Sequence, residues 1–249
     1  RGYGDNVGIN LDAQSERDKW YNWTGGNLKK TARSGYAVVA SRAENKVAFI
    51  DLQPLFQYYR TMNFTTQSNY DRTKNQGAAD NQWPYTFTYV SSQKPTVYDT
   101  KDVTKPTAVA AGLPYLPYMP NHFFPPFRSG DTAKENAYVA TMDGSLLMYK
   151  VGDLMTTASG GSIGSPFKTV PIGKNPSSIA YGWANSNYGD DLIITSRGDN
   201  AIYYLYSDGS TRGVLRDSRI QDAVSTAFSG AGRGFRDAGW SSSFLHVMD

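Results

Sequence analysis

The chain has 249 residues, enough for one large all-β domain or two ordinary domains. Hydrophobic residues make up 39% and charged residues 19%, so we expect the chain to fold around a core. The formal net charge is +3 and is spread along the chain, which gives no electrostatic case for binding nucleic acid or an anionic membrane. Cysteine is absent, which excludes disulfides, thiolate nucleophiles and zinc–thiolate sites.

The composition favours strands joined by tight turns. Aromatic residues make up 14%, and there are 18 Tyr, 24 Gly and 12 Pro. No apolar stretch approaches the roughly 18 residues that a membrane-spanning helix needs, so we predict no membrane span. Because the chain starts at Arg1 rather than Met, we interpret it as a processed or partial chain, and the missing signal peptide carries no weight.

A short pattern recurs along the chain: an apolar run, polar turn residues, then a second apolar run. The units and the first aliphatic residue after each turn are RGYGDNVGINLD with Val7, YAVVASRAENKVAFIDL with Val47, FTYVSSQKPTVYD with Val97, AYVATMDGSLLMYK with Leu146, and DLIITSRGDNAIYYLYS with Ile202. These residues recur at intervals of 40 to 56 residues, the size of a four-stranded propeller blade. We predict hairpin turns near residues 43–46, 93–95, 143–145 and 198–200, and little helix.

A further strand precedes some of these hairpins. KPTAVAAG (105–112), NPSSIAYG (175–182) and QDAVSTAFSG (221–230) share a polar start, an alternation of small and aliphatic residues, and a closing Gly. We interpret each as the first strand of a four-stranded unit. The predicted fold is therefore an all-β β-propeller, one domain over residues 1–249, with about five blade-like units of four antiparallel strands.

The two ends of the chain match each other. Joined tail to head, FLHVMD and RGYGDNVGI resemble the LIITS-RGDNAIYYL hairpin. This pattern predicts that Val7 and its neighbours pair antiparallel with the strand at 244–248, so that both ends share one blade and close the ring. The alternative is an arc of a larger ring, cut at matching points.

Two stretches carry a family resemblance: NPSSIAYG…DDLIITSRGDNAIYYLYSDG and SGYAVVASRAENKVAFIDL. They resemble the YVTN-type β-propeller repeat of bacterial and archaeal cell-surface proteins, which is related to the propellers of quinoprotein amine dehydrogenase heavy subunits. The resemblance covers about half of the chain. It implies a propeller fold and an extracytoplasmic location (periplasmic, cell-surface or secreted), and it transfers no catalytic residue.

Two long insertions interrupt the repeat, at about 53–85 and 113–134. The second has five Pro in the 13 residues from Pro114 to Pro126, which excludes regular helix or sheet. A stiff aromatic loop suits recognition, so we predict that residues 113–128 contact a protein partner or a second copy of the chain. The candidate binding residues are Tyr115, Tyr118, His122, Phe123, Phe124, Phe127 and Arg128. The alternative is that these aromatics plug the ring or cover a blade edge.

Other candidate residues carry weaker arguments. With only two histidines, His122 and His246, a His-rich metal site is nearly excluded, and we predict no metal and no cofactor. A glycosidase needs two carboxylates across a channel, and the available acids are Asp51, Asp99, Asp143, Asp199 and Asp237. Arg42 and Arg197 each follow a Ser in equivalent turns. They could line an anion-binding face, but a solvated turn or an ion pair between blades is the simpler interpretation.

These observations favour a non-catalytic extracytoplasmic propeller that acts as a surface, scaffold or protein-binding module. The alternative is an enzyme or enzyme subunit, either a polysaccharide-acting hydrolase or the propeller subunit of a redox complex. Two carboxylates roughly 5–10 Å apart in an open pocket would favour the hydrolase.

Overall fold

A computed structural model of the chain describes residues 10–22, 35–112, 136–151, 162–185, 189–229 and 244–248. These residues are mostly β-structure, with three α-helices: α1 (Gln14–Asn22), α2 (Gln53–Phe64) and α3 (Gln67–Arg72). The strands are β1 (Tyr36–Ser41), β2 (Lys46–Asp51), β3 (Thr96–Asp102), β4 (Pro106–Gly112), β5 (Asn136–Thr141), β6 (Ser145–Lys150), β7 (Lys168–Pro171), β8 (Pro176–Asn185), β9 (Gly189–Ser196), β10 (Ala201–Tyr206), β11 (Thr211–Arg216), β12 (Ser225–Ser229) and β13 (Phe244–Met248).

The strands form four antiparallel sheets, in which each strand pairs with its neighbour in sequence. The first sheet has the order β1-β2-β3, the second β4-β5-β6-β7, the third β8-β9-β10-β11, and the fourth β12-β13. The first strands of successive sheets lie side by side, since β1 contacts β4, β4 contacts β8 and β8 contacts β12. Each sheet is thus a simple meander, and the sheets follow one another in space in the order of the chain.

Three of the four predicted hairpin turns are confirmed. They join β1 to β2, β5 to β6 and β9 to β10, with the registers Ser41↔Lys46, Ala140↔Leu146 and Ser196↔Ala201. The three predicted first strands are also confirmed, as β4, β8 and β12. Turn residues with positive φ end each turn, which is why Asn and Gly recur there: Asn45, Gly144 and Asn200.

The predicted hairpin at 93–95 is wrong. Residues Ser91–Gln93 form a single 3₁₀ turn, and FTYV ahead of them is not a strand. Val97 lies instead in β3, the third strand of the first sheet, opposite Ile50 of β2. The stretch around Val97 therefore completes the unit that begins with β1 and is not a separate unit of the repeat.

The core lies between the sheets, and the second sheet contributes to it from both faces. Every residue of β5 is buried. Because successive side chains of a strand point to opposite faces, Ala137 and Val139 join a cluster with Phe49 of the first sheet, whereas Tyr138 and Ala140 join a cluster that includes residues of the third sheet. This arrangement explains the run NAYVAT, which is apolar at consecutive positions rather than at alternate ones.

The two ends of the stacked sheets differ. One end, the turn face, carries the hairpin turns 42–45, 142–144 and 197–200, and these turns bind the segments that connect one sheet to the next. The opposite end, the insertion face, is where β2 leaves for α2. Tyr36 Oη donates there to the Asn136 carbonyl at 2.9 Å, and Tyr138 Oη donates to the Ser207 carbonyl at 3.0 Å. These hydrogen bonds tie the first sheet to the second and the second to the third.

The ring closure predicted from the chain ends involves residues 1–9, which lie outside the described residues. The strand FLHVM exists as β13, and it pairs antiparallel with β12 in the register Ala227↔His246. The side chain of His246 is outside the described part of the chain. Whether Val7 adds the next strand to β13 stays a prediction.

A buried arginine holds helix α1 against the base of the first insertion. Arg17 is fully buried, and its guanidinium donates to the carbonyls of Leu11 and Thr65 and lies over the ring of Tyr70. Gln14 also donates to the Thr65 carbonyl, at 2.7 Å. These contacts join residues 10–22 to helices α2 and α3, so the insertion has a support of its own outside the sheets.

Candidate functional site

The first insertion, between β2 and β3, contains the two helices α2 and α3. The composition predicts little helix, but the local sequence carries a helix signal here. Pro54 stands in the first turn, and apolar residues follow at helical spacing: Leu55, Tyr58, Tyr59 and Met62. Tyr58 and Met62 are the buried residues of α2. The insertion predicted at about 53–85 therefore carries structure of its own.

The insertion ends in an aromatic cluster around Trp83. The ring of Trp83 makes edge contacts with Tyr59 at 5.1 Å and with Tyr85 at 5.8 Å between centroids. Tyr85 in turn stacks on Tyr89 at 5.7 Å. Arg72 covers the other side of this group, since it lies 4.9 Å above the ring of Tyr85 and donates to its hydroxyl at 3.1 Å. Such ring contacts stiffen a segment that has little regular secondary structure.

A cleft of about 460 Å³ opens beside this cluster, which we call the aromatic cleft. Its lining is mostly apolar, and its volume falls within the range of small-ligand sites. The described lining residues are Leu55, Tyr58, Tyr59, Gly77, Ala78, Ala79, Gln82, Pro84, Tyr85, Thr86 and Phe87. None of these described residues carries a charge, so the cleft suits an uncharged ligand.

Aromatic side chains around the cleft remain exposed to solvent. Tyr59 is 36% exposed, Phe87 44% and Tyr89 54%. Grouped exposed aromatics on a folded surface commonly mark a site that another molecule covers. Single exposed aromatics elsewhere, such as Phe167 and Tyr206, do not line this cleft.

The cleft also has polar side-chain atoms that can donate hydrogen bonds. The Gln82 Oε1 atom accepts from the Ala79 N–H at 3.2 Å, which leaves Nε2 without a partner among the described residues and free to donate. A side chain at Gly77 would collide with this amide, since a Cβ there would lie 1.7 Å from Gln82 Oε1. Burial raises the pKa of Tyr58 above its usual value, so its phenol stays protonated at neutral pH.

A second cleft, of about 310 Å³, lies on the turn face and is lined mainly by polar and charged residues. It is lined by Asp199, Asn200, Arg216, Asp217, Ser218, Ile220 and Gln221. Its charges are used locally: Arg219 donates to both carboxylate oxygens of Asp217 and lowers the pKa of that acid well below its usual value. Arg216 likewise donates to the Asp199 carbonyl at 3.1 Å. These contacts stabilise the turns that border this cleft.

Each of the predicted acids within the described residues has a local hydrogen-bond partner. Asp143 and Asp199 lie in turns on the turn face, where Asp143 accepts from the Thr141 hydroxyl and Asp199 accepts from Tyr203 at 3.3 Å. These are the turn roles that the sequence suggested for both residues.

The other described acids lie in the first sheet. Asp51 is buried at the end of β2, where its Oδ1 atom accepts from the Gln53 N–H at 2.8 Å. Burial alone would raise the pKa of Asp99, but hydrogen bonds from Lys101 and from the Ile163 and Thr100 N–H groups hold that pKa below its usual value. Asp237 lies outside the described residues.

The two repeated arginines have different partners. Arg197 forms a bidentate ion pair with Asp222, and its Nη2 atom lies 2.6 Å from Asp222 Oδ2. Asp222 lies in the segment that leads from the third sheet to the fourth. The Arg197 guanidinium therefore joins neighbouring sheets, as one of the sequence interpretations predicted. The Arg42 guanidinium lies 3.5 Å from the Met142 sulfur on the next sheet. Neither contact indicates an anion-binding face.

The binding residues predicted in the second insertion all lie outside the described residues: Tyr115, Tyr118, His122, Phe123, Phe124, Phe127 and Arg128. The described strands border that segment at Gly112 and Asn136. In the described parts of the chain there is no group of three or more acidic or histidine side chains placed to hold a metal ion. Within the same residues, no helix has the length and apolar character needed to cross a membrane.

Comparison with known proteins adds no assignment. No protein-family model matches the chain, and no curated protein has a significantly similar sequence. The aromatic cleft and the stacked sheets that carry it are therefore the features that bear on function.

Proposed function

We propose that this chain is a non-catalytic, extracytoplasmic binding module of the β-propeller type, and that it holds polypeptide segments in the aromatic cleft. The observation that carries the proposal is the cleft itself: an uncharged, aromatic-lined opening of about 460 Å³ whose rim keeps Tyr59 and Phe87 exposed. Exposed aromatics next to backbone and amide groups are the usual composition of a peptide-binding surface.

The propeller architecture is supported by the face-to-face packing of successive antiparallel meanders, one of three strands and two of four. Since Val97 belongs to the first sheet, four of the five predicted units remain, and the fourth would be completed by the strand at Val7. The resemblance to YVTN-type repeats supports the same architecture, and the extracytoplasmic location rests on that resemblance alone. Propellers commonly serve as rigid supports for binding loops, which is the role proposed for the stacked sheets.

A peptide library displayed on phage tests the proposal. The library is panned against the full chain and against the double variant Tyr59→Ser/Phe87→Ser, which removes two exposed rings of the cleft. We expect peptides that are enriched on the wild-type chain and lost on this variant, because buried aromatic contacts supply much of the affinity at such sites.

The matched control is Tyr206→Ser/Phe167→Ser. Tyr206 is 40% exposed and Phe167 44% exposed, close to the values of the two cleft residues, and neither lines the cleft. Enrichment should survive in this control. The proposal is overturned if no peptide depends on the cleft residues, or if the purified chain releases reducing ends from polysaccharides.

A further inference from the structure

The Pro-rich segment of the second insertion has a regular spacing. Pro114, Pro117 and Pro120 recur at every third residue in LPYLPYMP. The polyproline II helix has three residues per turn, so a segment with this spacing presents its prolines along one side when it adopts that conformation. The aromatic content of the insertion alone does not predict this spacing of the prolines.

The chemistry of the aromatic cleft fits such a ridge. Peptide-binding domains that recognise polyproline II helices do so with grooves lined by aromatic rings. Proline has no N–H, so a proline-rich ligand offers mainly carbonyl acceptors and needs donors from its site. The cleft supplies donors, the Nε2 of Gln82 and the hydroxyl of Tyr59, and no carboxylate stands among its described lining residues. A sugar ring, with many hydroxyl donors, would lack carboxylate acceptors there.

The Pro-rich segment and the described lining of the cleft are also alike in lacking charged side chains. Residues 113–127 contain no Asp, Glu, Lys or Arg, and the described lining of the cleft contains none either. Burying residues 113–127 in the cleft would therefore remove no formal charge from water, and Arg128 would stay at the edge of the contact. The rims of both surfaces are aromatic, with Tyr115 and Tyr118 on the segment and Tyr59 and Phe87 on the cleft.

We infer that the aromatic cleft of one copy of the chain binds the Leu113–Arg128 segment of a second copy, in the polyproline II conformation. The inference rests on the proposed function and names its ligand. Tyr59, Phe87 and Tyr89 are exposed in the single chain, and the segment of a second copy would cover them. Each copy carries both the aromatic cleft and the segment, so the contact is either reciprocal in a dimer or repeated head to tail.

A synthetic peptide with the sequence of residues 113–128 tests recognition. It is titrated into dilute full-length chain, with binding followed by isothermal titration calorimetry. We expect saturable binding that falls at least tenfold in the Tyr59→Ser/Phe87→Ser variant and is unchanged in Tyr206→Ser/Phe167→Ser. A scrambled peptide of the same composition, in which the three-residue spacing of the prolines is broken, should bind at least tenfold more weakly.

A second variant tests the donor without altering an aromatic ring. Gly77→Ala places a methyl group where the Gln82 amide lies, and this amide can swing away because it is the end of a flexible side chain. We expect weaker peptide binding with an unchanged thermal unfolding midpoint. Unchanged peptide binding by Gly77→Ala would contradict the role of Gln82.

A complementation experiment tests whether the bound segment comes from a second copy or from the same chain. The Tyr59→Ser/Phe87→Ser chain keeps its segment, and a Pro114→Ala/Pro117→Ala/Pro120→Ala chain keeps its cleft. In analytical ultracentrifugation we expect the wild type to associate with rising concentration, each variant alone to remain monomeric, and their mixture to form a heterodimer.

The outcomes separate the inference from the proposed function. A mixture that stays monomeric, or a scrambled peptide that binds as well as the native one, overturns the inference. If the phage library yields cleft-dependent peptides without the proline spacing, the binding function stands and its assignment to the 113–128 segment fails. If the native peptide binds both double variants equally, the cleft is not its site.

Discussion

Asp51 is a buried acid at the point where the first sheet passes into its helical insertion. It is 1% exposed, and only its Oδ1 atom has a partner among the described residues, the N–H of Gln53. Burial disfavours the charged carboxylate and raises the pKa of Asp51, although the hydrogen bond from Gln53 opposes the shift. The carboxyl thus holds a proton more tightly in the folded chain than in the unfolded one.

This shift predicts a pH-dependent contribution to stability. Because the folded pKa is raised, the contribution of Asp51 is fully present below the pKa of the unfolded chain and is lost as the pH rises through the folded pKa. We expect the free energy of unfolding of the wild type, relative to that of Asp51→Asn, to decrease as the pH rises above about 4. Urea unfolding at a series of pH values measures this difference.

Asp99, in the same sheet, has a pKa shifted in the opposite direction. Its pKa is lowered, so its contribution is present above the pKa of the unfolded chain and is lost as the pH falls through the folded pKa. Relative to Asp99→Asn, the wild type should therefore gain stability as the pH rises toward about 4. If both comparisons changed in the same direction, the environment assigned to Asp51 would be wrong.

At the scale of elements, the hairpin turns are defined by their left-handed residues and by what lies against them. Gly144 has φ +96°, and a Cβ on it would lie 2.6 Å from the carbonyl oxygen of Gly173. Gly173 belongs to the segment that joins the second sheet to the third, and the Ile172 N–H donates to the Gly144 carbonyl at 2.8 Å. The turn of one unit therefore sets the path of the chain into the next.

Gly144→Ala should destabilise the fold by roughly 2–3 kcal/mol, because it adds backbone strain and a contact with backbone that cannot swing aside. Thermal or urea unfolding measures the loss. Gly164→Ala is the matched control, since a Cβ at Gly164 meets nothing within 4 Å, and it should change stability by less than about 0.5 kcal/mol. Equal losses in the two variants would mean that the close approach of Gly144 to Gly173 does not limit stability.

For the whole molecule, the interfaces between sheets decide stability. The second sheet has a buried cluster on each face, one shared with the first sheet and one with the third. No described four-stranded sheet has a core that belongs to it alone. We therefore expect the three sheets to unfold together.

Leu146→Ala tests this expectation, since Leu146 is fully buried in the cluster between the second and third sheets. A loss of about 3 kcal/mol is expected from the missing contacts and the cavity left behind. Hydrogen exchange should accelerate by the same factor in β6 and in β9, which belong to different sheets. Leu215→Ala on β11, where the side chain is 49% exposed, should cost less than about 1 kcal/mol. Acceleration confined to β6 would mean that the sheets unfold separately.

Local signals in the sequence predicted the repeated hairpins and their first strands. Asn45, Gly144 and Asn200 tolerate the left-handed backbone that each turn needs, and the apolar runs on either side can only pair with each other across so short a connection. Such information lies within a dozen residues. It therefore survives in a single sequence, and for these hairpins the structure agrees with it.

The aromatic cleft and the pairing of β3 were decided by the tertiary structure. Val97 looked like the start of a new hairpin, but β2 was left with an open edge, and β3 pairs with it across an insertion of more than forty residues. Likewise, Leu55 and Phe87 line one cleft although they are 32 residues apart. Partner choice over such distances depends on which surfaces are left to be covered once the local hairpins have formed, and no short stretch of sequence contains that information.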